Sequence, residues 1–546
     1  MSLDINLIPH RVLGRLNAHQ AVLRTDAHLG NQVLISTSLD PRDVSLYDDL
    51  GVFSGCRQQE GVFSITMTVI KLAQDFIEES TSHFENRYRI ISELDTVLQY
   101  NRDVYVVYVI THYNPGQRPY GPLTVNIGGD CHRTGHHIKD LQSILTRTRD
   151  LAEAMLKKAV MIFPDIPALH GGKKGEWIIL DRKGEKIEGL SEEAIIALGS
   201  AIIPKGISFL NRYKEQQAQE MGIFDSFPKQ DYVLPDSGSP DVLSGIYWRG
   251  ERKDKYINMC DAWNRRGVNM RQFTCLPANL GGTKDSSARP TGYGVSTTTA
   301  ELAQRYFALR GRSLESLSFL LEAAGGVGRN TVESLINKYG VPPHQITVFD
   351  RNDAASKLVA EKYRVNAITL RHEDLYHTWL PEEIRRGTRF DVWVNNGEGD
   401  NTRPEHVANL LQAGVRVFTG GANNYLKVST QKESRQLIFD AGGWAWPDPA
   451  TSGGGWTLAV IDIMTRCQQQ RSDTDEIQER ILDIITTRNR RLVDDVLNHH
   501  PTTDSGAEIW QRVDRLIAER VERTLSLDLT PQQIFEGANT TRWHLT

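Results

Sequence analysis

The stretch from Leu317 to Asp350 leaves the chain few folds to choose from. Leu317 to Glu322 is an apolar strand candidate that runs into Ala323-Ala324-Gly325-Gly326-Val327-Gly328. Val332, Leu335, Ile336 and Tyr339 follow at i, i+3, i+4 and i+7, one face of a helix. Ile346 to Phe349 is the next strand, ended by Asp350. Strand, glycine turn, helix, strand and acid form a G-x-G-x-x-G dinucleotide fingerprint with Ala at its first place. The chemistry needs no side chain at Gly325, where backbone approaches a pyrophosphate, and needs Gly328 for close helix–strand packing. Gly326 and Val327 open the helix, whose N–H groups and dipole favour an anion. Asp350 lies 22 residues beyond Gly328 and can accept from both ribose hydroxyls. That favours NAD, while adjacent Arg351 could instead meet a 2′-phosphate and leaves NADP open. A tight βα turn with no ligand is the bland alternative.

Strands and helices continue to alternate beyond this unit. Ala367 to Leu370, Asp391 to Val394 and Val415 to Phe418 are strand candidates, with a helix over Glu405 to Gln412. Such alternation implies a parallel sheet covered on both faces. Ahead of it, Ser296/Thr297 are expected to cap a helix running to about Arg310, stopped by Gly311. The first third mixes strand-like runs (Gln32 to Ser36, Val104 to Ile110) with a helical pattern over Asp140 to Met161. The tail from Asp473 to about Leu525 is helical, highly charged and expected to pack back on the body. The fold class is therefore α/β: an N-terminal substrate domain with a mixed sheet, a Rossmann domain, and returning C-terminal helices. The expected boundaries are 1–290, 291–455 and 456–546.

Composition narrows the partners. With 63 Lys+Arg against 68 Asp+Glu, the net charge of −5 argues against a surface built for nucleic acid. The longest apolar or Tyr-containing run, Val104 to Ile110, is too short to cross a bilayer, and no export signal is visible. Five cysteines without CxxC spacing suit a reducing compartment, so a cytoplasmic location is expected. Cys131, His132, His136 and His137 offer four potential ligands within seven residues but no second pair elsewhere. They read as a histidine-rich loop, and no metal site is expected.

Further glycine-rich segments stand in a particular order around the fingerprint. Lys158 is followed by His170-Gly171-Gly172-Lys173-Lys174-Gly175, then Leu234-Pro235-Asp236-Ser237-Gly238, then Leu280-Gly281-Gly282-Thr283-Lys284, then Arg289-Pro290-Thr291-Gly292-Tyr293-Gly294. After the fingerprint come Gly420-Gly421-Ala422-Asn423-Asn424 and Pro447-Asp448 with Gly453-Gly454-Gly455. As an ordered set, over roughly Gly121 to Ala459, these resemble the glutamate/leucine/phenylalanine/valine dehydrogenase family. The resemblance implies reversible, NAD-dependent oxidative deamination of an L-amino acid to the 2-oxo acid and ammonia. It implies a site between the two domains and a symmetric homo-oligomer. By the same resemblance Lys158 holds the substrate carboxylate, Lys174 activates the water, and Asp236 shuttles the proton. Thr291 contacts the nicotinamide carboxamide, and Asn423 or Asn424 faces the nicotinamide ribose or the substrate. A neighbouring positive charge lowers a lysine pKa, and Lys173 beside Lys174 supplies one.

The sequence departs from the family at the substrate end. In Val125-Asn126-Ile127-Gly128-Gly129, Ile127 stands where glutamate enzymes carry a lysine for the distal carboxylate. An apolar residue cannot compensate a buried carboxylate, so a non-acidic substrate is expected. Ser452 replaces the usual Asn, and Trp456 stands where a small aliphatic residue is expected. Trp456 could line the substrate pocket or be a core tryptophan. Asn395, in Val394-Asn395-Asn396-Gly397, replaces a small apolar residue beside the dinucleotide. Two rival functions stay open: a dehydrogenase or reductase acting on a specialised keto acid or imine, and a non-catalytic dinucleotide-binding regulator.

Overall fold

In a computed structural model, residues 287–467, 474–498 and 506–526 are described without a break. Of the preceding part, residues 22–25, 33–39, 62–70, 103–113, 126–132, 141–164, 166, 169–180 and 232–235 are described. Asp236 and the segment carrying His136 and His137 lie outside the described residues, as do the side chains of Cys131 and His132.

The first sheet has seven strands: β1 (Val22–Thr25), β2 (Val33–Leu39), β3 (Val62–Ile70), β4 (Asp103–Tyr113), β5 (Asn126–His132), β6 (Gly171–Leu180) and β7 (Tyr232–Pro235). Their order is β1-β2-β3-β4-β6-β5-β7. The pairs from β1 to β6 are antiparallel, whereas β6/β5 and β5/β7 are parallel, so the sheet is mixed as expected. Helix α1 (Leu141–Ile162) connects β5 to β6. Leu151, Ala152, Leu156, Ala159 and Val160 form its buried stripe, the helical periodicity seen in the sequence.

The second sheet is parallel throughout. It is preceded by α2 (Ala288–Ala308) and runs β8 (Phe319–Glu322), α3 (Gly326–Asn337), β9 (Ile346–Asp350), α4 (Asp353–Tyr363), β10 (Asn366–Thr369). A helical stretch follows, made of α5 (His372–Asp374), a π-turn (Leu375–Trp379) and α6 (Leu380–Arg385). Then come β11 (Val392–Asn395), α7 (Pro404–Gln412), β12 (Val417–Gly420), α8 (Gln431–Asp440), β13 (Trp444–Ala445) and α9 (Gly454–Cys467). The strand order is β10-β9-β8-β11-β12-β13. In sequence terms this is 3-2-1-4-5-6, the doubly wound order, whose ligand crevice lies beyond the carboxyl ends of β8 and β11. Strands β8, β9, β11 and β12 are almost wholly buried, which explains their apolar character, whereas the edge strand β10 is partly exposed.

Helices α10 (Asp475–Asn498) and α11 (Gly506–Ser526) return to the body. Asn489 Nδ2 donates to the Gly294 carbonyl at 2.9 Å and to Thr298 Oγ1 at 3.0 Å. Arg488 donates to the Ile162 carbonyl and Arg520 to the Met161 carbonyl, so both close on the end of α1, where carbonyls lack helical partners. One apolar core runs from Leu156 and Val160 of α1 through Val295 and Tyr306 of α2 to Val348 and Val394 of the parallel sheet.

The start of α2 differs from the sequence expectation. Ser296 and Thr297 do not cap it; both are buried in its interior and bond back to the Tyr293 carbonyl at 2.9 and 2.8 Å. The helix begins at Ala288 and runs through Pro290-Thr291-Gly292-Tyr293-Gly294. Tertiary packing overrides the local preference. A Cβ on Gly292 would stand 2.6 Å from Asn330 Cβ of α3, and one on Gly294 3.3 Å from Asn489 Nδ2 of α10. Pro290 falls in the first turn, where its missing N–H does no harm. Gly311, at φ +70°, ends the segment as expected.

Candidate active site

The fingerprint turn follows from three glycines with three different neighbours. β8 delivers Glu322, and Ala323 N donates to the Phe349 carbonyl at 2.8 Å. A Cβ on Gly328 would lie 1.9 Å from the Ala323 carbonyl oxygen, so α3 can reach the turn only without one. A Cβ on Gly326 would meet Ala288 Cβ at 2.9 Å, which brings α2 against the start of α3. A Cβ on Gly325 would meet nothing within 4 Å among the described residues. The first turn of α3 has no side-chain cap, so its N–H groups can serve an anion.

Ala323, at the fingerprint's first place, has φ +71°, the left-handed region that disfavours a Cβ. Ala323→Gly is therefore expected to stabilise the unliganded protein by about 1 kcal/mol, after the entropy of the extra glycine is offset. A urea midpoint that stays put or falls would contradict this.

Asp350 ends β9 and ties two loops together. Its Oδ2 accepts from Ala324 N at 2.7 Å and its Oδ1 from Asn352 N at 2.8 Å. Each oxygen keeps a further lone pair for a hydroxyl. Arg351 is exposed beside it. Thr291 sits in the first turn of α2, its Oγ1 donating to the Ser287 carbonyl at 2.7 Å.

Across the crevice, Asn395 is fully buried and committed to loop structure. Its Nδ2 donates to Thr402 Oγ1 at 3.3 Å, its Oδ1 accepts from Gly397 N at 2.9 Å, and its carbonyl accepts from Gly421 N at 2.8 Å. The neighbouring Asn396 is different. Both its amide atoms are buried and hydrogen-bond to nothing among the described residues. Its Oδ1 stands 2.8 Å from where a Gly421 Cβ would be, with Val295 and Val327 also against that point. Asn396 is thus a ligand-facing candidate that the sequence reading passed over. Its signal was only that two amides followed β11, and the strand end decides which one points inward.

The most informative contact joins the two sheets' elements. Lys158 of α1, 4% exposed, donates from Nζ to Asn423 Oδ1 at 2.8 Å. Asn424, at φ +53°, donates its backbone N–H to the carboxyl of Asp448. Asp448 is 1% exposed, and its Oδ2 has no hydrogen bond among the described residues. Burial raises its pKa, opposed by the Asn424 N–H and by Lys158. Lys158, Asn423, Asn424 and Asp448 therefore form one polar group, its two charged members buried and its two asparagines half-buried.

Lys174 approaches from β6. Glu176 Oε2 accepts from Thr148 Oγ1 of α1 at 3.2 Å, so the face of β6 that carries Glu176 is the one α1 covers. Side chains alternate along a strand, which puts Lys174 on that same face and Lys173 on the other. Lys174 is 3% exposed and Lys173 wholly buried. The glycine pair after Ile127 has a steric reason: a Cβ on Gly128 would lie 1.5 Å from the Lys173 carbonyl oxygen. Asp130 pairs with Gly175 on one side and with Pro235 on the other. Lys174 and the residue before Asp236 thus lie in nearly the same row, two strands apart, or about 10 Å at the usual strand spacing.

Ser452 and Trp456, placed at the substrate pocket by position, are committed to packing. Ser452 Oγ donates to the Asp448 carbonyl at 2.9 Å. Trp456 is buried with Ile127, Ala159, Ile162 and Val460, its ring centroid 5.6 Å from that of Phe163. The glycine run beside it is where three helices meet. A Cβ on Gly453 would stand 2.2 Å from Ile162 Cδ1, on Gly454 2.0 Å from the Pro290 oxygen, and on Gly455 2.9 Å from Thr291 Oγ1. Lys158, Ile127, Gly128, Thr291, Asn423 and the 452–456 segment are therefore neighbours through α1, α2 and α9.

Residues 281–521 match the family model described as Glutamate/Leucine/Phenylalanine/Valine dehydrogenase. Hetero-hexameric glutamate dehydrogenase from Thermus thermophilus is similar in structure, at TM-score 0.51 and 16% identity, covering 81% of this chain and 97% of that one. Plasmodium falciparum glutamate dehydrogenase is similar at TM-score 0.50 and 14% identity, covering 89% of this chain and 96% of that one. At such identities the likeness speaks for the two-part α/β fold alone. No curated protein matches the sequence. Among the described residues no helix is long and apolar enough to cross a membrane. Family model, fold and the order of the glycine segments converge: through residues 281–521 the chain is similar to the Glu/Leu/Phe/Val dehydrogenase family.

Proposed function

We propose that the chain catalyses reversible, NAD-linked oxidative deamination of a non-acidic L-amino acid. The observation that carries this reading is the Lys158–Asn423 contact at 2.8 Å, which brings a cation from α1 to the loop after β12. A carboxylate bound there would be held by a charge-assisted hydrogen bond. Ile127 supports the substrate class: it is fully buried among the apolar side chains of Ala159, Ile162, Phe163 and Trp456. Burying an acidic side chain against it would strand a charge.

The residues present fit a nicotinamide dinucleotide. The open space over Gly325 and the uncapped start of α3 suit the pyrophosphate, and Asp350 suits the ribose diol. Asn396 and Thr291 would face the nicotinamide end. The bound coenzyme would accept hydride from the substrate Cα. Lys158 would orient the α-carboxylate, Lys174 would take a proton from the attacking water, and Asp236 would carry protons to and from the amino nitrogen. Asp350, with no ion pair on its carboxylate among the described residues, favours NAD over NADP.

A panel of L-amino acids with NAD or NADP, followed by absorbance of the reduced nicotinamide, tests this. The expected result is NAD reduction with one or a few apolar or aromatic amino acids and little with glutamate. Reduction with glutamate alone overturns the substrate class. No turnover, together with tight NAD binding, would favour the regulatory alternative.

A further inference from the structure

The geometry points to a divalent-metal site, suited to zinc, formed by His372, Glu373 and His406 beside the coenzyme turn. One ligand atom from each of the three lies within 4.8 Å of the others. His406 Nε2 is 3.4 Å from Glu373 Oε2, and His372 Nδ1 is 3.8 Å from Glu373 Oε1. Tetrahedral zinc, with bonds of about 2.0–2.2 Å, holds its ligand atoms roughly 3.3–3.5 Å apart. Small rotations of these side chains would therefore complete a coordination sphere. His377 Nε2, 3.2 Å from Glu373 Oε2, offers a fourth ligand. His377 stands four residues after Glu373, the spacing that puts two side chains on one helix face.

The imidazoles are held in place before any ion arrives. The His406 ring stacks on Tyr376 at 4.3 Å and an interplanar angle of 5°, and His372 meets both rings edge-on at 4.9 and 5.1 Å. His372 Nε2 is buried and forms no hydrogen bond among the described residues; Glu322 Oε1 is 3.5 Å away. Metal on Nδ1 would make that nitrogen an N–H directed at a carboxyl, the outer partner that ligating histidines normally have. At His406, Nδ1 accepts from the Arg403 backbone N–H at 3.4 Å, a long capping bond that metal on Nε2 would give up.

A cation already stands in this place. Arg403 Nη2 lies 2.6 and 2.8 Å from the two Glu373 oxygens and 3.2 Å from His406 Nε2. The side chain is 34% exposed and has a second carboxylate, Glu405 Oε1, at 2.9 Å from Nε. It can leave for solvent and Glu405 when a metal arrives. The proposed site is thus a competition between a guanidinium and a metal ion for one carboxylate and two imidazoles.

The test uses the full chain after chelator treatment. Zinc is titrated by calorimetry, and cobalt(II) by its visible ligand-field bands, which report a tetrahedral N/O environment. One zinc per chain with Kd of about 1 µM or below is expected. Glu373→Gln, at a half-exposed position that the fold tolerates, should weaken zinc at least tenfold. Arg403→Gln should strengthen it about tenfold, and His406→Ala should abolish it. Zinc that binds Glu373→Gln as tightly as the natural chain resides elsewhere, for example on Cys131, His132, His136 and His137, and overturns the proposal. So does an Arg403→Gln affinity no higher than that of the natural chain, or the absence of zinc binding in both.

Discussion

Lys174→Ala should lower turnover by about 10²- to 10⁴-fold, the range for loss of a positioned general base, while dinucleotide affinity stays unchanged. Lys174 lies on the α1-covered face of β6, near the row that ends at Pro235, and far in sequence from the residues of the coenzyme turn. In the proposed role, its removal would touch the proton step and leave the coenzyme's contacts in place. Lys174→Arg sharpens the test. Arginine keeps the positive charge but cannot give up its proton in a protein. If the role is proton abstraction, Lys174→Arg should be about as inactive as Lys174→Ala; if it is only charge, Lys174→Arg should recover most of the rate. Retained turnover in Lys174→Ala would remove this residue from the mechanism. Steady-state rates on the best amino acid of the panel, with dinucleotide binding measured separately, decide between these outcomes.

Two glycines of the fingerprint should fail in different ways. At Gly325 an added Cβ meets no atom of the described residues within 4 Å, so Gly325→Ala should keep its unliganded melting temperature. The new methyl would occupy the space where a pyrophosphate approaches the backbone, and coenzyme binding should weaken about 10- to 100-fold, roughly 1.4–2.7 kcal/mol. At Gly328 the Cβ would sit 1.9 Å from the Ala323 oxygen. Gly328→Ala should therefore lower both the unliganded melting temperature and the coenzyme affinity, with an overpacking penalty of about 1–3 kcal/mol. Thermal unfolding with and without NAD reads both quantities, because a ligand that binds only the folded state raises its melting point. A Gly325→Ala protein with a full NAD-dependent shift would mean that the dinucleotide does not pass over this turn.

The parts of the molecule legible in the sequence are those whose causes are local. β8, the glycine turn, α3, β9 and Asp350 stand within 34 residues, and periodicity and turn chemistry fix them there. The parallel order of the second sheet follows once the alternation is seen. The start of α2 was not legible, because Pro290, Gly292 and Gly294 argue against a helix on propensity alone. Only the approach of Asn330 and Asn489 explains why a helix there needs glycine. At the site, resemblance brought Lys158 and Asn423 into the same account, yet their hydrogen bond spans 265 residues and no spacing rule reports it. Asn395 and Asn396 could not be told apart before the end of β11 was known to turn the first inward to Thr402. The histidine pair at 372 and 406 is likewise non-local: α5 and α7 are brought together only after β11 has passed between them in the chain.

The tether between Lys158 and Asn423 bears on how a small acid would be received. A lysine on a solvent-exposed helix samples many rotamers, and fixing it upon recognition costs up to about 2 kcal/mol of side-chain entropy. Here the ammonium is already immobile, facing an amide oxygen at 2.8 Å. In the proposed role, an incoming anion would exchange one acceptor for a better one without having to arrest a wandering chain, and selectivity for ligands that carry a carboxylate would be set when the polypeptide folds, before any metabolite arrives.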